Sequence, residues 1–301
     1  MTSTSIKDRF ERFTYEEQAR RLNEAYEWLA GFGIRIAPSK LHHYRKIIDC
    51  LAEHQRLGNL QWADLPFSFS DAITTFGEVN EILRIHRGLV GLNAAGLGSK
   101  IKTLLSGTQG RPPADILDPA RDYAFELMTA ARFNSAGFSI DLSGAADISV
   151  DVGGGMRLFV ECKRIRSVSA IRKRVREALH QISRRIRKME QPELGRGLLA
   201  VSITDCYNPE HMIVPQPSHE HIRAVLGNLM DGFIRRHGGL WQGAGNAQLL
   251  GTLVEFAAVG IVEHDNLPVT CVETAFNNAH PLETKESRLL FAIGERLADG
   301  L

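Results

Sequence analysis

The sequence predicts an α/β protein with a mixed β-sheet flanked by helices and preceded by an all-helical N-terminal region. Three observations predict this class. Apolar residues recur at three- and four-residue steps through the first third of the chain, and strand-like runs begin only near residue 138. A glycine-rich turn joins two of those runs, so part of the sheet is expected to be antiparallel.

The first 110 residues show only helical patterns, and no convincing strand precedes residue 110. Helices are expected at 5–31, 39–57, 70–87 and 91–106. The stretch 106–113 carries Gly and Pro and is the best boundary candidate. We therefore expect two units, a helical region at 1–110 for recognition or assembly and a second domain at 111–301. A homodimer or a protein partner bound through the helical region stays open.

The second domain alternates helices and strands. In chain order we expect a helix at 118–135, strands at 138–142, 147–152 and 156–162, a helix at 168–189, a strand at 197–203, a helix at 219–236, and strands at 252–262 and 269–274. This alternation is typical of an α/β sheet covered by helices.

The composition is that of an ordinary folded protein, since 44% of the 301 residues are hydrophobic and 24% are charged. No apolar run approaches the roughly 20 residues that cross a bilayer, and residues 1–12 lack the apolar segment of a signal peptide. The four cysteines are far apart and form no CxxC pair, which argues against a disulfide framework and a zinc ribbon. We therefore expect a cytoplasmic protein with no membrane partner.

Two carboxylates are expected to meet across the glycine-rich hairpin. Side chains alternate along a strand, so Glu161 and Lys163 project to one face and Cys162 to the other. The turn at 153–155 folds the chain back, which places Asp147 across from Glu161. Converging carboxylates repel each other and favour a divalent cation with oxygen ligands. Such a site can hydrolyse phosphodiesters, and a neighbouring lysine can orient the attacking water.

Asp147, followed after a hairpin by Glu161-Cys162-Lys163 on an α-β-β-β-α-β frame, resembles the PD-(D/E)XK nuclease superfamily. The resemblance covers about residues 115–205 and implies a restriction-endonuclease-like core. It also implies that Asp147, Glu161 and the backbone carbonyl of Cys162 bind Mg²⁺ or Mn²⁺. In the family, the lysine at the position of Lys163 assists the attacking water.

Two further residues match the family by position. Glu126, in the helix before the hairpin, fits a glutamate that faces the metal, and Gln181 fits a glutamine on the following helix of some branches. Ala146 stands where the family motif has proline, at a position that varies within the family. The catalytic set implied by the resemblance is Asp147, Glu161, Lys163, Glu126 and Gln181.

A run of nearly one-signed charge follows the motif. Between residues 163 and 188 eleven basic residues accompany a single acid, Glu177, although the net charge of the chain is only +1. We expect this segment to contact the phosphates of a nucleic acid. The residues assigned to this contact are Arg164, Arg166, Arg172, Lys173, Arg174 and Arg176. The alternative is an ordinary solvated face.

The residues and the resemblance together imply a Mg²⁺-dependent nuclease that hydrolyses phosphodiester bonds of DNA. Many relatives of this fold act in restriction, repair, recombination or anti-phage defence, and the sequence does not choose among these. The alternative is a nuclease-fold module that binds nucleic acid or a partner protein without cutting it. Two local alternatives also stay open. Asp151 lies on the same face as Asp147 and could take its role, and Glu161 and Lys163 could form a plain ion pair.

Overall fold

The computed structural model describes residues 3–7, 13–35, 39–58, 60–107, 118–144, 146–209, 213–242, 247–262 and 268–299. The helices are α1 (Tyr15–Ala30), α2 (Lys40–Arg56), α3 (Phe69–Leu89), α4 (Leu97–Leu105), α5 (Pro119–Ser135), α6 (Ile171–Ile186), α7 (Thr204–Tyr207), α8 (His219–His237) and α9 (Lys285–Asp299). The strands are β1 (Ser3–Lys7), β2 (Ser139–Asp141), β3 (Ile148–Gly153), β4 (Met156–Arg164), β5 (Gly195–Ser202), β6 (Val214–Gln216), β7 (Leu249–Val262) and β8 (Pro268–Asn278).

The described strands form one mixed sheet with the order β1-β8-β7-β5-β4-β3-β2, and β6 pairs with β7. Strands β4, β5 and β7 run parallel to one another, and β6 runs parallel to β7. The β2-β3-β4 and β7-β8 hairpins and the β1-β8 pair are antiparallel. The predicted α/β class, with a mixed sheet and a helical N-terminal region, is confirmed. No helix among the described residues is long and apolar enough to cross a membrane.

Helices cover both faces of the sheet. Along β5, Leu198 and Ala200 belong to the core that contains α1 to α5 and α9, whereas Leu199 and Val201 belong to the core of α6 and α8. The helical region and the sheet thus share one hydrophobic core. The predicted boundary at 106–113 lies largely outside the described residues, and the division into two units stays a prediction. Cys162 lies in the first core, so its neighbours in β4 turn toward α6.

The expected helix from residue 5 is wrong at its start. Residues 3–7 form β1, which pairs with β8 so that Ser3 lies opposite Asn277 and Lys7 opposite Glu273. The expectation of no strand before residue 110 is therefore wrong as well. Helix α1 begins at Tyr15, after Thr14 accepts a hydrogen bond from the backbone N–H of Glu17 as its N-cap. Residues 8–12 of the expected helix lie outside the described residues.

The β3-β4 hairpin has the predicted tight turn. Its three glycines at 153–155 have φ angles of 89°, 62° and 77°, which side chains with a Cβ rarely adopt. Ile148 pairs with Val160 at the far end of the hairpin. Asp147, the residue before β3, therefore comes opposite Glu161.

A close approach of helix and strand fixes α6 beside this hairpin. A Cβ on Gly197 in β5 would lie 2.3 Å from Ile182 Cγ2, so the helix packs directly on the strand backbone. Helix α6 connects the parallel strands β4 and β5 and buries one apolar face, made of Ile171, Val175, Ala178, Leu179, Ile182 and Ile186. The other positions of α6 include the basic residues of the run that lie within this helix.

Candidate active site

Asp147, Glu161 and Lys163 converge at the open end of the β3-β4 hairpin. Lys163 Nζ lies 3.6 Å from Glu161 Oε2 and 4.0 Å from Asp147 Oδ2. The backbone N–H of Cys162 donates a 2.8 Å hydrogen bond to Asp147 Oδ2, which holds that carboxylate against β4. Two carboxylates from adjacent chain segments therefore flank one ammonium group.

Asp151 occupies the opposite end of the hairpin. It pairs with Arg157, is exposed, and accepts a 2.8 Å hydrogen bond from the backbone N–H of Gly153. Its carboxylate therefore caps the glycine turn. Of the two aspartates considered from the sequence, Asp147 is the one beside Glu161.

Glu126 brings a third carboxylate from α5. Lys100 Nζ on α4 donates a 2.5 Å hydrogen bond to Glu126 Oε2, and both side chains are largely buried. Burial, together with repulsion from Asp147, raises the pKa of Glu126 to about 7, although Lys100 and Lys163 oppose the change. Burial is the main cause of this shift, and the Asp147 carboxylate adds to it.

The raised pKa of Glu126 predicts how stability depends on pH without metal. The folded protein keeps Glu126 protonated above the usual carboxyl range, so the contribution of Glu126 to stability is greatest below about pH 4.5 and is lost as pH rises through 7. Glu126→Gln should remove that loss, by up to about 3 kcal/mol above pH 7, and should change little at pH 5. Denaturant unfolding of both proteins across this pH range in EDTA measures the difference.

The control for that experiment is Glu190→Gln, because Glu190 is exposed. The Glu190→Gln replacement should change the free energy of unfolding only slightly, and by the same amount at every pH. A Glu126→Gln difference that does not grow with pH would show that the folded protein does not raise the pKa of Glu126.

Helix α6 contributes Arg185, which forms an ion pair with Glu161. The Glu161 side chain is fully buried and the Arg185 side chain is 11% exposed. Burial lowers the pKa of Arg185, and the Asp147 and Glu126 carboxylates oppose that change. Gln181 lies one helical turn before Arg185 on the same face, and its Oε1 is buried without a hydrogen-bond partner among the described residues.

Two residues of this cluster were not expected from the sequence. The sequence does not distinguish Arg185 from the other basic residues between 163 and 188. Its spacing of four from Gln181 could, however, have placed it on the same helix face. Lys100 carried no signal, because it comes from the helical region and reaches Glu126 only through the packing of α4 on α5.

Arg164 and Arg166 have acidic partners inside the protein. Arg164 pairs with Asp205 and lies 3.3 Å from Asp122 Oδ1, and its side chain is only 8% exposed. Arg166 lies 3.3 Å from the same Asp122 oxygen and donates to the carbonyl of Asp118. These contacts tie the end of β4 to α5 and so help to position Glu126. The expected nucleic-acid contact of these two arginines would compete with them.

The remaining residues assigned to nucleic acid lie on the outer face of α6. Arg172, Lys173, Arg174 and Arg176 are all exposed. Glu177 accepts a 3.1 Å hydrogen bond from Arg174 and lies 4.0 Å from Lys173. Neither Arg172 nor Arg176 has an ion pair within the part of the chain that the structure describes.

The donor atoms of the cluster suit a hard divalent cation. Asp147, Glu161 and Glu126 supply only oxygen, which Mg²⁺ and Mn²⁺ prefer, and their negative charge is now met by Lys163, Lys100 and Arg185. No group of three or more His, Cys, Asp or Glu among the described residues is placed to hold a metal ion. A bound ion would therefore rest on two carboxylates, and Arg185 would have to share or release Glu161.

Comparison with known proteins finds no match for this chain among family models, curated proteins or solved structures.

Proposed function

We propose that this protein is a metal-dependent nuclease that hydrolyses phosphodiester bonds of DNA, built on a restriction-endonuclease-like core. One observation carries the proposal: Asp147 and Glu161 flank Lys163 within 4.0 Å at the end of a hairpin. Glu126 is near enough to Asp147 for repulsion between the two carboxylates to contribute to its raised pKa. A carboxyl group with a raised pKa, here that of Glu126, beside further carboxylates and a lysine is typical of catalytic sites. These are the residues that the sequence analysis proposed for the site, and their catalytic roles stay a prediction.

Each side chain has a distinct role in this proposal. Asp147 and Glu161, with the Cys162 carbonyl, would hold Mg²⁺ or Mn²⁺, which when bound polarises the phosphate and activates water. Lys163 is held by both carboxylates, so its ammonium can orient the attacking water and stabilise the growing negative charge. Gln181 offers a buried amide oxygen that can accept a hydrogen bond from that water.

The test of this function is cleavage of DNA by the purified protein. Supercoiled, duplex, single-stranded and branched DNA should be cut in Mg²⁺ or Mn²⁺ and should survive in EDTA. RNA substrates in the same panel decide whether cleavage is restricted to DNA. If every substrate survives beside a working control nuclease, the nuclease proposal is wrong.

The exposed basic face of α6 is expected to bind DNA through phosphates. Because Arg172 and Arg176 are exposed and have no ion pair among the described residues, replacing both with Gln should weaken binding. It should also reduce the slope of log affinity against log salt by up to about 2, since each lost phosphate contact contributes about 0.9. Fluorescence anisotropy with a labelled duplex in EDTA, at several salt concentrations, measures the slope.

Arg20 and Arg56, two exposed arginines that pair with acids on their own helices, provide the control. Their side chains are 57% and 59% exposed, but they lie on α1 and α2, away from the cluster in sequence and fold. The double replacement Arg20→Gln, Arg56→Gln should leave the slope unchanged. If the wild type and the Arg172→Gln, Arg176→Gln variant show the same slope of log affinity against log salt, DNA does not contact these two arginines.

The ion pair of Glu161 with Arg185 favours a second candidate, a nuclease-fold module that binds nucleic acid without cutting it. A guanidinium fixed on Glu161 competes with any metal ion for that carboxylate. In this case the cluster is a buried ion-pair network, and DNA binding in EDTA occurs without cleavage in any metal. The cleavage panel and the salt series together separate the two candidates.

A further inference from the structure

A cleft opens beside α3 and α5, at the carboxyl ends of β4 and β5 and against the middle of β7. Arg164 ends β4, Ser202 ends β5, and Glu255 lies on β7; all three line the cleft. Ligands of open α/β sheets bind beyond the carboxyl ends of parallel strands.

The cleft adjoins the carboxylate cluster but is separate from it. Arg164 of the cleft directly follows Lys163 in β4, and Phe125 of the cleft directly precedes Glu126 in α5. Consecutive Cα atoms are about 3.8 Å apart, so the two sites share the same short pieces of backbone. Neither Lys163 nor Glu126 lines the cleft.

The charges that line the cleft are balanced. Three arginines and three acids line it: Arg84, Arg121, Arg164, Glu81, Asp205 and Glu255. Arg164 pairs with Asp205, Arg121 lies 2.8 Å from Asp118 Oδ2, and Glu255 lies 3.3 Å from Arg132 NH2. Because the protein compensates these charges itself, a phosphate would gain little net attraction, and a neutral ligand is favoured.

The lining offers apolar surface together with donors and acceptors. The apolar contribution comes from Ile73, Phe125, Met128, Ala258 and Val259. The polar lining includes the hydroxyl groups of Thr74, Ser202 and Thr270, which can donate and accept hydrogen bonds. A ligand complementary to this lining is uncharged, has apolar faces, and carries hydrogen-bond donors and acceptors along its edge.

We propose that this cleft binds a nucleobase, supplied either by a free nucleoside or by a base turned out of a nucleic-acid strand. Nucleobases combine apolar faces with a hydrogen-bonding edge, and an unstacked base can enter a pocket of this kind. The free-nucleoside source is independent of the nuclease proposal. A base turned out of a nucleic-acid strand rests on the nuclease proposal. In that case one base would lie beside the phosphate held at the carboxylate cluster.

Gly77 on α3 gives a direct way to fill the cleft. A Cβ on this lining residue would lie 3.5 Å from Val259 Cγ2, an ordinary contact, so Gly77→Ala should fold and leave the cleft open. Gly77→Met should occupy it. Gly227→Met on α8, where a Cβ meets nothing within 4 Å, controls for adding a methionine to a helix. Thr74→Met fills the cleft from another position on α3 if Gly77→Met does not fold.

The experiment is a fluorescence titration with the riboside of 2-aminopurine in EDTA, with natural nucleosides as competitors. Wild type, Gly77→Ala and Gly227→Met should bind with affinity that does not depend on salt, and the 5′-monophosphate should bind no better. Gly77→Met or Thr74→Met should bind about tenfold more weakly or worse. Absence of binding to wild type, or unchanged binding to folded cleft-filling variants, would overturn the proposal.

A second titration identifies the source of the base. If the base comes from a strand, the fluorescence of a duplex that contains 2-aminopurine should increase when the wild-type protein is added in EDTA. The Gly77→Met variant should not produce this increase. Binding of the riboside without a rise in the duplex assigns the cleft to free nucleosides. Both titrations omit metal, so a chain that binds the riboside but never cuts DNA refutes the nuclease proposal and leaves the nucleobase site standing.

Discussion

Replacing Lys163 with alanine is expected to lower the rate of DNA cleavage by about 10²–10³-fold, while the protein still binds a divalent ion. The ammonium group serves the water and the developing charge, and loss of one such donor typically costs that much. Metal affinity should stay equal or rise, because Lys163 now neutralises Asp147 and Glu161 at 4.0 and 3.6 Å. Single-turnover cleavage and a Mn²⁺ titration measure the two quantities.

Asp147→Asn is the comparison for this variant, since it should lose cleavage and metal binding together. Lys188→Ala is the control, because Lys188 is an exposed lysine of the same basic segment. It should change DNA affinity slightly and the single-turnover rate at saturation not at all. If Lys163→Ala cuts DNA at the wild-type rate, the lysine has no catalytic role.

Replacing Glu161 with glutamine should destabilise the metal-free protein by about 3–5 kcal/mol. Its carboxylate is fully buried between Arg185 and Lys163, whose side chains are 11% and 16% exposed. Glutamine keeps the volume but leaves two cations without their shared partner. Denaturant unfolding in EDTA measures the loss, and Glu177→Gln, on the exposed face of α6, should change stability by well under 1 kcal/mol.

The double variant Glu161→Gln, Arg185→Met tests the cause of that loss. Removing both charges should restore most of the stability, because a buried pair can be replaced by uncharged groups at little cost. If the double variant is as unstable as Glu161→Gln alone, the ion pair is not what glutamine disrupts. Glu161→Gln should lose its metal-induced rise in melting temperature in either case.

The parts of the site that the sequence predicted are those fixed by local geometry. Strand alternation and the glycine turn place Asp147 opposite Glu161, since both follow from a period of two and a tight hairpin. The amphipathic pattern of α6 likewise gives its buried face. These relations involve residues close in the chain, so one sequence is enough to derive them.

The parts that the sequence did not predict depend on contacts between remote segments. The strand at Ser3–Lys7 is polar and short, and it forms because the edge of β8 offers backbone partners 270 residues later. Lys100 meets Glu126 because α4 packs on α5. In the basic run, the four-residue spacing from Gln181 indicates the helix face of Arg185, but that this face meets Glu161 depends on how α6 packs against β4. Neither periodicity nor composition carries such information.

The arrangement also explains why so many cations surround the cluster in the metal-free protein. Lys163, Lys100 and Arg185 each meet a carboxylate that would otherwise be buried and unpaired. A divalent ion at Asp147 and Glu161 would take over part of that neutralisation. Arg185 would then be available to a phosphate, a role to which the bidentate guanidinium group is suited.

The decisive measurement is an equilibrium titration with Mn²⁺, in which electron paramagnetic resonance reports the free ion. Wild type should bind a single ion per chain with an affinity that Mg²⁺ competes for. Asp147→Asn should abolish this binding, and Asp151→Asn, which alters only the exposed cap of the glycine turn, should leave it intact. A wild-type protein that binds no Mn²⁺, or an Asp147→Asn variant that binds as wild type does, would contradict the assignment of the cluster as a metal site.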